Sequence, residues 1–480
     1  MMVETVITVA ETPSRGKGRP SLTKGATAKT LAADSRLVTN GFPMDRTAAA
    51  ALAELDAGLI DDSFKGYPVA AAPAKLGAIG KQGWNLLKGD LPFPVAVLKT
   101  AAIDHNSRWM DRFRKEQGVE LCPHGKTTMS PHLFQRQLAD GAWGITVATT
   151  QQLRIARQYG VNRIIMANQL VDPQGIRYVL AEMKRDPGFE FYCLVDSPAS
   201  VQRLAEIAKT AKVGRPLRLL LEGGVAGGPT GCRTIEQAAA VAKAVLAAAP
   251  HVILRGVEGF EGIMTGTPEE RSAKVRSFVD FLGAIAKRGI AENWFGAGEV
   301  ITTAGGSAEF DIVADAWRNG DFGAPVKIVL RSGCYLTHDS GLYEDAFHQI
   351  QKRAIASSAL TGNGPKAALE VWTLVQSIPE PGLAFVTMGK RDVSFDVSLP
   401  VPIAWSPAGA LTAEAMPAGC SITKLNDQHG YLKGPANSPL KVGDRVGFGV
   451  SHPCTTFDRW QLIYLVDDAY NVTGAIRTFF

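Results

Sequence analysis

From about residue 93 onward, short apolar runs alternate with longer stretches in which apolar side chains recur every three or four positions. The first pattern predicts buried strands, the second amphipathic helices packed against them. Strand-like runs fall at 94–98, 119–123, 144–148, 163–167, 189–195, 217–222, 254–259, 300–303 and 327–330. Helix-like stretches fall at 104–117, from 131, from about 150, and at 198–211, 234–248 and 269–288. Alternation of this kind over about 240 residues implies a parallel sheet with crossover helices. A strand count near eight favours a closed, TIM-like (β/α)8 barrel over an open doubly wound sheet. No Gly-x-Gly-x-x-Gly opens the first unit, which weakens a dinucleotide-binding alternative.

Beyond about residue 365 the helical period fades. Runs at 367–375, 383–388, 420–425, 445–450 and 460–467, separated by Pro and Gly, predict a C-terminal β domain. At the other end, residues 1–35 are polar, small and basic without any period, which reads as a disordered tail. Its Gly18-Arg19-Pro20 could enter a DNA minor groove as a basic hook, but a solvated tail explains it more simply. Residues 46–65 carry Ala and Leu at helical spacing and suit a lid or a dimer arm. The expected organisation is therefore a basic tail (1–35), a helical extension (36–90), a barrel (91–350) and a β domain (365–480).

Composition adds exclusions. Of the 480 residues, 46% are hydrophobic and 20% charged, enough to bury sizeable cores in two or three domains. A net charge of +5, part of it in the tail, does not suggest a nucleic-acid partner. Six cysteines lie far apart without a Cys-x-x-Cys pair, so a disulfide framework is not expected and a reducing cytoplasm is the simplest setting. No apolar run approaches the length of a membrane span, and no secretory signal pattern opens the chain.

In a parallel barrel the active site sits at the C-terminal strand ends. Five polar clusters fall there or in the β domain. Pro123-His124-Gly125-Lys126-Thr127 follows the run 119–123. A lysine there points into the barrel mouth and is partly desolvated, which suits imine formation; locally, a surface lysine in a turn fits as well. Ala304-Gly305-Gly306-Ser307 presents backbone N–H groups and a hydroxyl suited to a phosphate, or makes an ordinary turn. Arg331-Ser332-Gly333-Cys334-Tyr335 offers a second phosphate or ring contact. The glycine-rich stretch 222–233 permits close backbone approach to a ligand and is not a Walker A loop. His452 and Cys454, two apart, point to one side of an extended segment, and imidazole with thiolate favours Zn²⁺. Asp458, Asp427 and His429 are conceivable further ligands.

Taken together, these motifs resemble the D-serine dehydratase-like group, which includes the D-threonine aldolases and shares the alanine racemase N-terminal barrel. The resemblance runs from about residue 90 to the C-terminus. It rests most on Pro123-His124-Gly125-Lys126-Thr127, Ala304-Gly305-Gly306-Ser307 and His452-Pro453-Cys454, in that order and spacing. It implies pyridoxal phosphate joined as an imine to Lys126, with His124 beside it as a second catalytic residue. It implies a phosphate cradle of Gly305, Gly306 and Ser307, completed by amides of Gly333 and Cys334. Arg331 would face the pyridine nitrogen and Tyr335 would lie near the ring. His452 and Cys454 match a zinc pair, or one for another divalent metal.

The implied reaction is dehydration and deamination of a D-β-hydroxy amino acid such as D-serine or D-threonine, with Lys126 taking the Cα proton. Aldol cleavage uses the same parts, and the thiolate ligand tips the balance toward elimination. Racemisation would need a partner-chain base, for which Tyr431 is a candidate. A non-catalytic pyridoxal-phosphate carrier is disfavoured by the extra β domain. A homodimer is expected from the resemblance. Two positions depart from the family pattern: Pro229 and Ile378 stand where relatives often carry arginine.

Overall fold

A computed structural model describes residues 47–480 apart from Ala354. The basic tail and the start of the expected extension lie outside the described residues.

Eight parallel strands make the barrel: β1 (Glu120–Leu121), β2 (Ile145–Val147), β3 (Arg163–Gln169), β4 (Glu190–Val195), β5 (Leu217–Gly223), β6 (Val252–Gly259), β7 (Val300–Ala304) and β8 (Val326–Leu330). The spatial order runs β1-β8-β7-β6-β5-β4-β3-β2. Its two ends are joined by Trp143 N–H to Leu121 O (2.7 Å), Thr146 N–H to Pro123 O (2.9 Å) and a parallel bridge from His124 to Thr146. The ring is thereby closed, as the strand count predicted. Its interior is filled by Cys122, Ile165, Tyr192, Leu194, Leu220, Ile301 and Val329, a packed plug rather than a pore. Helices surround it. Pro268–Ala291 begins with a reciprocal cap, in which the Thr267 hydroxyl accepts from Glu270 N–H and the Glu270 carboxylate from Thr267 N–H. Pro173–Arg185 and Phe310–Arg318 add helices that the apolar spacing did not mark.

The first apolar run departs from expectation. Val95–Lys99 is not a barrel strand; it pairs antiparallel with Leu369–Glu380 and parallel with Leu462–Val466 in the C-terminal sheet. Four consecutive buried residues, Val95 to Leu98, suit any doubly covered strand, so the run alone does not specify its sheet. Among the described residues, the segment before it is helical only at Ala48–Ala57 and, as a 3-10 helix, at Leu76–Lys81. Between them Leu59–Ile60 pairs with Ala74–Lys75. Ile60, Tyr67, Leu76, Ile79 and Leu86 form one core with Val97, Trp372 and Tyr464. Residues 59–94 thus form a layer against the β domain rather than a free arm, while the helix Ala48–Ala57 also reaches the barrel, where Asp56 pairs with His132 (2.9 Å).

The β domain also meets the barrel mouth. Ser340 N–H donates to Val450 O (2.9 Å) and Phe479 N–H to Met129 O (2.9 Å). These bonds bring the loop after Arg445–Gly449, which carries His452 and Cys454, over the strand ends.

Candidate active site

A cavity of about 460 Å³ opens at the C-terminal ends of the strands, within the ~300–1,000 Å³ usual for small-molecule sites. Lys126, His124, Gly306, Ser307, Arg331, Gly333 and Cys334 line it from the barrel, and His452 and Cys454 from the β domain.

After β1, His124 joins Thr146 and the chain turns through one short 3-10 helix, Gly125–Thr127. Gly125 has no room for a side chain: a Cβ would lie 2.9 Å from both Ile145 and Phe134. That packing carries Lys126 to the mouth. Its side chain is exposed there, so the partial desolvation expected of it is not found. Lys126 N–H donates to His124 Nδ1 (3.4 Å). Burial, with the Lys126 and Arg331 cations adding to it, holds the His124 imidazole well below its ordinary pKa. His124 is therefore a neutral ring that accepts at Nδ1.

The opposite wall is only partly as expected. Gly305 takes the left-handed conformation (φ 82°), but its amide donates to Glu261 Oε2 (3.1 Å) and that of Gly306 to Glu261 Oε1 (2.5 Å). A side-chain carboxylate thus sits on the two amides assigned to a phosphate. Ser307 Oγ accepts from Cys334 N–H (3.1 Å), and the Ser332 hydroxyl donates to Gly305 O (3.2 Å) and Gly306 O (3.1 Å), tying the two loops together. Gly333 is obligatory, since a Cβ would lie 2.6 Å from His124 O. Tyr335 corrects another expectation. It is buried beneath the loop beside Trp109 and Gln137 and does not line the cavity. The aromatic residues lining the cavity are Tyr343 and Phe260.

Arg331 is buried at the cavity floor. It donates through Nη1 to Thr303 Oγ1 (2.9 Å) and through Nη2 to Gly259 O (2.9 Å), and it pairs with Glu258 Oε1 at 2.6 Å. The glycine-rich loop presents Pro229 and Thr230 to the cavity. Arg233 does not replace the arginine that relatives often carry at Pro229. Its guanidinium is spent inside the loop on Gly231 O (2.7 Å), Gly228 O (2.7 Å) and Thr230 O. Ile378 lies on another face of the β domain with Leu383 and Leu432.

At the third wall, His452 Nδ1 meets Asp396 Oδ2 at 2.7 Å, a carboxylate–histidine pairing that fixes the ring as metal ligands are commonly fixed. Burial alone would raise the Asp396 carboxyl, but bonds from the Thr455 hydroxyl and from His452 outweigh it and keep it below its usual range. Cys454 Sγ lies 3.7 Å from Cys334 Sγ and 3.5 Å from Thr127 Oγ1. The Cys334 thiol, hydrogen-bonded to it, pulls the Cys454 thiol below its ordinary range, although burial opposes this. Among the described residues no group of three or more His, Cys, Asp or Glu is arranged to hold a metal. Asp458 pairs with Arg459, and Asp427 with Arg391, away from the cavity. Tyr431 packs at a tilt against Phe385 (ring centroids 4.6 Å apart) and does not line its own chain's cavity.

The residues present fit pyridoxal phosphate. A lysine stands at the mouth, a buried polar pair (Glu258 and Arg331) lies at the floor, and a hydroxyl and amide lie between tied loops. His452 and Cys454 both line the cavity, with no third His, Cys, Asp or Glu arranged beside them to hold a metal among the described residues. Sequence reasoning missed Glu222, Glu258, Glu261 and Tyr343, all lining the cavity. Glu222, Glu258 and Glu261 stand at or just after strand ends β5 and β6, a position that could have flagged them.

Residues 98–313 match the model of the alanine racemase N-terminal domain, and residues 368–466 that of a putative serine dehydratase domain. The 3-hydroxy-D-aspartate aldolase of Paracoccus denitrificans (strain Pd 1222) is 23% identical over 373 residues, covering 76% of this chain and 86% of the relative. The D-threonine aldolase structure from Filomicrobium marinum superposes with a TM-score of 0.66 at 21% identity, covering 85% of this chain and 98% of that one. The D-threo-3-hydroxyaspartate dehydratase structure from Delftia sp. HT23 does so with a TM-score of 0.62 at 21% identity, covering 82% and 99%. Both structures share the fold of a racemase-like barrel with an antiparallel β domain. With both domains matched in order, the chain is similar from residue 98 to 466 to the D-serine dehydratase-like and D-threonine aldolase lyases, built on the alanine racemase barrel.

Proposed function

We propose that this chain is a pyridoxal-phosphate-dependent lyase that dehydrates and deaminates D-β-hydroxy amino acids, D-serine or D-threonine, to a 2-oxo acid and ammonia. One observation carries the reading. Lys126 from the barrel and His452 with Cys454 from the β domain line a single cavity. An amine that can exchange a proton at Cα therefore shares that space with an imidazole–thiolate pair suited to a soft divalent metal at the β-oxygen.

Lys126 would hold the cofactor through Nζ, the Ser307 hydroxyl and the Gly333 amide its phosphate, and Arg331 with Glu258 its ring. Bound pyridoxal phosphate supplies an electron sink for the pair left at Cα. Lys126 Nζ, once released, takes the Cα proton. Neutral His124 keeps the Lys126 turn in place without adding a competing cation. Tyr343 and the exposed Phe260 and Ile263 shield the mouth from water. Zinc on His452 and Cys454, its shell completed by water or substrate, would supply Lewis acidity for the departing hydroxyl. We further propose a homodimer acting in the cytoplasm. Among the described residues, no helix is long and apolar enough to cross a membrane.

Aldol cleavage is the second reading, favoured by the aldolase relative. Incubation with D-threonine decides between them: 2-oxobutanoate and ammonia are expected, and glycine with acetaldehyde would replace the dehydratase by an aldolase. Borohydride should trap the cofactor on the wild-type chain and not on Lys126→Ala. Trapping on that variant would remove Lys126 from its role.

A further inference from the structure

Four glutamates, Glu222, Glu258, Glu261 and Glu309, line the cavity. Three have their carboxylates engaged. Glu222 accepts from the Thr230 hydroxyl (2.7 Å) and the Gln169 amide. Glu261 accepts from the amides of Gly305 and Gly306. Glu309 is held by ion pairs to Arg271 (2.7 Å) and Arg353 (3.0 Å), although neither of its oxygens makes a hydrogen bond. Glu258 differs. Its Oε1 meets Arg331 at 2.6 Å, while its Oε2 is buried without a hydrogen-bond partner. The residue is 1% exposed. A buried polar oxygen without a partner is costly, and it is found where a ligand or proton completes the bond.

Arg331 is the residue that the family resemblance sets opposite the pyridine nitrogen. Here its guanidinium is drawn toward Thr303, Gly259 O and Glu258, leaving Glu258 Oε2 as the buried carboxylate oxygen at this end of the floor without a partner among the described residues.

Resting on the reading of this cavity as a pyridoxal-phosphate site, we propose that Glu258 Oε2 contacts the pyridine nitrogen and gives it a proton, so that the cofactor ring is held as a pyridinium. The O–H bond at Oε2 breaks and an N–H bond forms on the ring. The carboxylate left behind is balanced by the Arg331 guanidinium already against Oε1, so the cavity gains no net charge. Burial first of all, with Glu222 and Glu261 adding to it and Arg331 opposing, pushes the Glu258 carboxyl up to about 8, so it enters the contact protonated; a pyridinium beside it favours the carboxylate again, and that attraction drives the transfer. A protonated ring draws electrons more strongly than one facing a guanidinium, and Glu258 thereby acts as a positioning residue for the cofactor's electronics.

The test uses pyridoxal phosphate labelled with ¹⁵N in the ring, bound to the full-length protein at neutral pH, and borohydride trapping run beside it. The wild type should show the large upfield ¹⁵N displacement of a pyridinium. Glu258→Gln, which keeps the shape and the bond to Arg331 but has no acidic proton, should lose that displacement while still trapping cofactor on Lys126. An unprotonated nitrogen in the wild type overturns the proposal while leaving the cofactor site intact, as does a pyridinium signal that survives in Glu258→Gln. Should the variant not fold, the wild-type spectrum alone decides. If the wild type traps no cofactor at all, both the proposal and the reading it rests on fall, and the missing trapped adduct distinguishes that result.

Discussion

At the scale of single residues, the site turns on which backbone donors are already taken. Glu261 is almost wholly buried and occupies both amides of the Gly305-Gly306 turn, so it fastens the loop after β6 to the loop after β7. Removing one partner from such a contact leaves donors unsatisfied, at a cost of roughly 1–3 kcal/mol. Glu261→Ala is therefore expected to lower the unfolding free energy by that amount, seen as a lower denaturant midpoint with an unchanged m-value. A midpoint equal to wild type would mean the carboxylate does not brace these loops. Lys126, His124, Ser307, His452 and Cys454 were legible because each sits at a fixed offset from a strand end or from its neighbour. Glu261 was not, because its partner amides lie 44 and 45 positions away. Tyr335 was misplaced for a related reason: a short 3-10 turn at Cys334–Leu336 rotates it under the loop, while Tyr343, eight residues on, reaches the cavity.

At the scale of elements, apolar runs reported strands faithfully but not their sheets. The runs at 217–222, 254–259 and 327–330 became β5, β6 and β8, whereas 94–98 went to the β domain. Continuous burial on both faces looks the same in either setting, and only the pairing distinguishes them. The same ambiguity concealed residues 59–94, whose small and apolar residues cover strands rather than forming an arm. Gly80 marks how closely they are fitted. A Cβ there would lie 2.2 Å from the Thr473 carbonyl oxygen, on the last strand, Val472–Arg477. Because the neighbour is backbone, it yields only if the 3-10 segment shifts. Overpacking of this kind costs about 1–3 kcal/mol. Gly80→Ala should destabilise the protein by that much in equilibrium unfolding while cofactor trapping on Lys126 persists. A neutral substitution would detach this segment from the β-domain core.

At the scale of the whole molecule, the cavity draws its residues from distant parts of the chain: β1, β6, β8 and the loop near residue 452. It therefore exists only when barrel and β domain are folded together. Buried charge at this junction links global stability to pH through Glu258. In the unfolded chain its carboxyl loses its proton around the ordinary 4.5, but in the folded cavity it keeps it up to about 8. Between those values the unfolded state binds fewer protons than the native state, so stability contributed by this group is present below about 4.5 and is lost as pH rises toward 8. Other groups titrate as well, but they are common to wild type and variant and cancel in a difference. Comparing thermal midpoints of wild type and Glu258→Gln from acid to mildly alkaline pH should therefore give a difference curve that slopes against the wild type across this window and flattens above it. Parallel curves would mean that Glu258 is ionised in the folded protein, held as a carboxylate by Arg331 rather than as the proton-bearing acid of the cavity floor.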